Sequence, residues 1–310
     1  MKIKPYNSIA MLFFLLAAIF IAGCDDDDKT FQGDPIFAFG ASSANLVINH
    51  LEPKYDVPVM LVGPHFNVPK TLTFEVLPYL VSASGDTIRT NVEPGVHYKE
   101  FTSNQLVVAP NTSTTHIPLE INFDNMERCG SYVIIFELTG GDFSVSAKAN
   151  NIMIVRFSPH RLFIPENYIG TFPAREISNQ PNLVREYNVT LELDSIYPGG
   201  KRFAYSVSGL YNIAFGDSTA NAWDRRKIRI MVDDTNHCTS EIGANSPQDF
   251  FRISDGTFIV WERRANGTFN TWDNTFNFPA FNLKRKDNDN PFPAQPNTPR
   301  GQNVRVQILN

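Results

Sequence analysis

Cysteine is scarce in this chain: Cys24, Cys129 and Cys238 are the three among 310 residues. So few exclude a disulfide-stapled scaffold and a multi-cysteine zinc site. Cys129 and Cys238 read as two independent buried thiols rather than a bonded pair. Tryptophan is as sparse, again three residues. Neither sign of charge dominates, with 27 basic against 32 acidic residues and a net charge of −5. No global basic surface therefore calls for nucleic acid. Beyond residue 22 no apolar run approaches the ~20 residues that span a bilayer as a helix. Gly-rich phosphate loops, nucleophile elbows and zinc-protease histidine pairs are all missing. On these grounds the chain is expected to be non-enzymatic, with no cofactor and no metal site.

What is present is strand-like. Short runs of Val, Ile, Phe, Tyr and Thr alternate with Gly, Pro, Asn and Asp clusters, which predicts an all-β fold. Residues 33–158 read as one sandwich. In 115–123, Ile117, Leu119, Ile121 and Phe123 alternate with polar neighbours, the pattern of a half-buried strand. Gly140-Gly141-Asp142 marks a tight reversal. Residues 159–183 read as a linker, punctuated by Pro159, Pro165, Pro173 and Pro181. Leu162, Phe163 and Tyr168 make it too apolar to hang free in water. Residues 184–310 form a second all-β unit, a sandwich, an open barrel or a jelly roll, in which 187–194 alternates cleanly. One short helix is expected near 246–251, with Ser246 as N-cap and Pro247 at the first helical position.

The first 28 residues carry an address. Lys2 and Lys4 precede an apolar run over 9–22, which ends in Gly23 and Cys24. The run has the length of a signal-peptide core. The pattern resembles the bacterial lipobox, which implies cleavage after residue 23 and lipidation of Cys24. Two or three acyl chains anchor firmly, at about 0.8 kcal/mol per buried CH₂. Asp25 to Asp28 and Lys29 follow at once, so 24–32 reads as a solvated acidic tether. The acidic stretch resembles the export signal of Bacteroidota surface lipoproteins. That implies an outer-membrane location with the protein facing the cell exterior.

The sandwich region carries Gly95-Val96-His97-Tyr98, Leu106-Val107-Val108-Ala109-Pro110-Asn111, Ile117-Pro118-Leu119-Glu120-Ile121 and Phe136-Glu137-Leu138. It resembles the N-terminal sandwich domains of Bacteroidota surface lipoproteins, which are similar to the Calx-β type of immunoglobulin-like fold. The clustered acids of calcium-binding Calx-β domains are not reproduced. Asp124, Glu127 and Asp142 are scattered.

The sharpest local signal is Asn266-Gly267, a strong hairpin turn between 257–264 and 268–276. A two-residue loop there sets Trp261 opposite Trp272, with Arg263, Asn270 and Asn274 on the same face. Aromatic rings flanked by amides and guanidinium can stack on sugar rings and bond hydroxyls. These five residues are the candidate ligand site. Together with the resemblance they imply non-catalytic carbohydrate binding as an accessory to polysaccharide capture, with outer-membrane importer components as partners. Two other functions compete. One is an adhesion or assembly component with protein partners. The other is a glycan hydrolase, which needs two facing carboxylates.

Overall fold

The computed structural model describes residues 34–143, 150–177, 184–209, 227–236, 240–244, 248–252, 258–263, 266–278, 281–285, 287 and 303–307. The expected lipidation residue, Cys24, lies outside them, as does Cys238.

The all-β expectation holds: regular structure among the described residues is strands and two short 3-10 turns. The first unit packs two sheets. One holds β1 (Ile36–Phe39), β3 (Lys54–Val62) and β8 (Thr114–Glu120). The other runs β2 (Ser43–Asn49), β10 (Ile152–His160), β9 (Tyr132–Gly141), β4 (Lys70–Leu77) and β7 (Gln105–Val108). A two-stranded ribbon, β5 (Tyr79–Val81) and β6 (Thr87–Arg89), stands apart. Period-two burial explains the stack. Val57 and Val59 of β3 and Ile117 and Leu119 of β8 meet Leu72, Phe74, Ile134, Phe136 and Val155 from the facing sheet. Ile121 and Phe123, the last residues of the predicted alternation, are buried as well.

Gly141 ends β9 at a φ of 111°. A Cβ there would lie 2.3 Å from the Thr71 carbonyl oxygen, so only glycine lets β9 approach β4. Next to it the Thr71 N–H donates to Asp142 Oδ2 at 2.7 Å. The two thiol expectations divide. Cys129 is a free cysteine but exposed, at a φ of 60° in the turn before β9.

The second unit is a closed antiparallel barrel. It runs β11 (Gly170–Ile177), β12 (Val184–Ile196), β13 (Arg202–Ser208), β14 (Lys227–Asp233), β15 (Ser240–Ala244), β18 (Gly267–Asn270), β19 (Thr275–Phe278) and β21 (Asn303–Gln307). The last strand pairs with both β19 and β11, so no edge remains. Val189, Leu191, Tyr205, Val207, Ile230, Val232, Phe269 and Phe276 fill the interior. The outward side chains of β12–β14 form an ionic lattice: Asp194 accepts from Ser206 and pairs with Arg229, and Glu192 pairs with Lys227.

Two local expectations give way here. Residues 159–177, the described part of the expected linker, are not an extended connection. They complete β10, form the 3-10 turn Pro165–Tyr168 and supply β11. The short helix near 246–251 is replaced by β16 (Gln248–Arg252), which pairs with β17 (Phe258–Arg263). In turn β17 pairs with β20 (Phe281–Arg285), making a separate three-stranded sheet.

Candidate functional site

The predicted tryptophan hairpin does not form. Trp261 is registered against Gln248 and Leu283, in the three-stranded sheet. Trp272 lies in the turn 271–274 between β18 and β19, in the barrel. The physical reason is competition. Gly267 opens β18 by pairing with Ile242 of β15, so Asn266-Gly267 no longer reverses the chain onto β17. The side chains of Trp261 and Arg263 lie outside the described residues.

Asn270 and Asn274 shape the turn that holds Trp272. Asn270 Oδ1 accepts from the Trp272 N–H at 3.0 Å. Asn274 adopts a φ of 53°, a left-handed conformation that asparagine tolerates. Its Oδ1 accepts from the Tyr168 hydroxyl at 2.8 Å. Burial pushes that hydroxyl far above the ordinary tyrosine range, so it stays a donor.

The turn delivers Trp272 onto the sandwich rather than into solvent. The indole stacks on Phe123 at 5.1 Å between centroids and 14° between planes. The Arg161 guanidinium sits over both rings, 5.5 Å from Trp272 and 5.8 Å from Phe123. Arg161 Nη2 pairs with Asp124 Oδ1 at 3.2 Å. On the other flank His50 packs at 5.9 Å from Phe123. His50 Nδ1 accepts from the Leu162 N–H at 3.2 Å. Burial first, and then the neighbouring Arg161 and His160, hold the His50 pKa below the usual histidine value despite Asp124. The imidazole is therefore neutral at neutral pH, with its proton on Nε2.

A pocket of about 600 Å³ opens beside this stack, lined by His50, Pro53, Ile121, Asn122, Phe123, Asp124, Asn125 and Arg161. The amide nitrogens of its two asparagines are committed inward. Asn122 donates to the Gly95 and Val96 carbonyls, and Asn125 donates to Val96. Their carbonyl oxygens remain as acceptors.

Behind the pocket lies a buried polar cluster. Asp234 is 4% exposed, and His160 and Ser240 are buried as well. Asp234 Oδ1 accepts from Ser240 Oγ at 2.7 Å and lies 3.4 Å from His160 Nε2. Its Oδ2 accepts from the Phe163 N–H at 3.1 Å. The residue types are those of a hydrolase triad, but the order is not. Activation of a serine needs the imidazole between hydroxyl and carboxylate. Here the carboxylate is the hub, so the cluster joins β10, the segment after it and the barrel as a latch. Among the described residues no group of three or more His, Cys, Asp or Glu is arranged to hold a metal.

The sequence matches no protein-family model and no curated protein. Among solved structures, a Bacteroides ovatus protein of unknown function is similar at 10% identity, covering 91% of this chain and 92% of its own, with a TM-score of 0.34. An auxiliary nutrient binding protein from Bacteroides thetaiotaomicron is similar at 9% identity, over 86% of this chain and 89% of its own, with a TM-score of 0.31. The apo-form Calx CBD1 domain is similar at 10% identity, over 41% of this chain and 98% of its own, with a TM-score of 0.30. Values this low assign no family.

The sequence points to Trp272, Asn270 and Asn274 but sets them against the wrong strand. It misses His50, Asn122, Asn125 and Arg161. Phe123 stands out only as a core position, and Asp124 only as a scattered acid. The one local hint was the apolar character of 162–168, which required that segment to pack on something.

Proposed function

We propose that this is a lipid-anchored, cell-surface, non-catalytic carbohydrate-binding protein, an accessory to polysaccharide capture, with its ligand site at the pocket beside the Phe123–Trp272 stack. The observation that carries the reading is the Phe123–Trp272 stack capped by Arg161 at the mouth of a polar pocket. Partly exposed aromatic surface beside amide acceptors and fixed donors suits the alternating C–H and hydroxyl faces of a sugar. The pocket lining supplies one carboxylate, Asp124. Glycoside hydrolysis in its usual form needs a facing pair, so the site favours holding over cleaving.

Calorimetric titration against a polysaccharide and oligosaccharide panel tests the reading. W272A is expected to lower affinity for any bound glycan by about tenfold or more, a loss of roughly 1.4 kcal/mol. Near-native melting would show that folding is kept. Unchanged affinity in W272A, or no binding anywhere on the panel, sinks the proposal.

Attachment rests on Cys24. Replacing it (Cys24→Ala) is expected to abolish incorporation of labelled palmitate and to move the protein from the detergent to the aqueous phase in Triton X-114 partitioning. Labelling that persists in the variant would remove Cys24 as the anchor.

A further inference from the structure

We propose that the pocket beside Arg161 selects carbohydrate bearing a carboxylate, a uronate, and that the ligand's carboxylate displaces Asp124 from Arg161. The inference rests on the carbohydrate reading of this pocket and deepens it.

Arg161 is held by apolar and ionic contacts that leave its recognition edge loosely occupied. Its Nε is buried without a hydrogen-bond partner, and the two aromatic faces take that place. The guanidinium plane is thereby fixed by rings from both units. Its one ion-pair partner among the described residues is a weak competitor. The Asp124 side chain is 92% exposed and reaches a single nitrogen at 3.2 Å. An exposed, monodentate pair of this kind contributes little and yields easily. A planar guanidinium already oriented by packing is matched to a carboxylate that can take two of its N–H groups at once.

The rest of the lining fits the remainder of such a ligand. Asn122 and Asn125 keep carbonyl oxygens as acceptors for hydroxyl groups, since their nitrogens are bonded inward. His50 offers an N–H on Nε2, because its Nδ1 accepts from Leu162. With His50 neutral, Arg161 is the cation of the pocket lining. The chain carries a net charge of −5, so it exerts no general pull on a polyanion. Screening over about 8 Å at physiological salt removes distant charges as well. Preference for a uronate must therefore fall on Arg161 itself.

The test compares trigalacturonate with its methyl ester, a neutral ligand of the same shape, by calorimetry on the full chain from residue 24. Wild-type protein is expected to bind the acid at least about tenfold more tightly than the ester, the scale of one charge-assisted contact. D124A is expected to raise affinity for the acid several-fold and to leave the ester unchanged. R161Q is expected to erase the preference, and R161K to keep part of it. If R161Q fails to fold, D124A decides alone, because its side chain is solvent-exposed. Equal affinities for acid and ester, or no gain for the acid in D124A, overturn the uronate proposal and leave carbohydrate binding standing. Failure of both trisaccharides and of the whole glycan panel overturns the carbohydrate reading, and this inference with it.

Discussion

Phe163→Ala is expected to destabilise the protein by about 3–5 kcal/mol, the range for a buried phenylalanine lost from a packed core. Phe163 belongs to neither sheet, yet it is 5% exposed and sits in the barrel core. Its ring stacks on Tyr168 at 4.6 Å and meets Phe269 at 4.8 Å and Phe203 at 5.0 Å. Tyr205 turns its hydroxyl to the Pro165 carbonyl at 2.9 Å, which seats the same segment. Removing the ring opens a cavity among aromatic neighbours that are too rigid to collapse into it. Urea unfolding measures the loss. F163L, which keeps most of the volume, should cost clearly less. A change under about 1 kcal/mol in F163A would show that the barrel does not depend on this plug, since ordinary surface substitutions stay within ~0.5 kcal/mol.

Asp234→Ala is expected to be of the same size, about 3–5 kcal/mol, because it removes the hub of a buried polar cluster. The Phe163 N–H and the Ser240 hydroxyl lose the acceptors they are bonded to, and His160 loses one of its contacts. Buried donors without acceptors carry the full cost of desolvation. The cluster links residue 160, in the sandwich, to residues 234 and 240, in the barrel. Calorimetric unfolding of D234A should therefore show two separated transitions where the wild type shows one, with Asp234→Asn intermediate. A single unshifted transition in D234A would mean that the latch couples nothing. Asp233, one residue earlier, serves differently. Despite partial burial, bonds from Thr235 and Arg202 hold its carboxyl below the usual carboxylate range, at the barrel surface.

Much of the fold was legible because period-two burial is a local property. The alternation of Ile117, Leu119, Ile121 and Phe123, and that of Val189 and Leu191, needed no knowledge of partners. Pairing is not local. Asn266-Gly267 carries a strong turn preference, but Gly267 gains more by joining β15, and β17 finds β20 instead. Ser246-Pro247 likewise offered a helix start that β16 and β17 overrode by pairing. The candidate site was the least legible part. His50, Phe123, Arg161 and Trp272 come from four distant stretches, so no spacing betrays them. Only the excess of apolar side chains after Pro159 hinted that the two units would share a surface.

The seam of the barrel has a further consequence, for how the chain reaches this structure. Residues 170–177 open the barrel and residues 303–307 close it, by pairing with both β11 and β19. The sandwich has a milder form of the same order: its strand β10 arrives last and inserts between β2 and β9. Contacts between such distant residues form slowly, because the loop must close before any pairing rewards it. A chain emerging N-terminus first therefore leaves β11 and β19 with open hydrogen-bonding edges until its final strand is delivered. During that interval the nascent protein is at its most prone to associate with other chains.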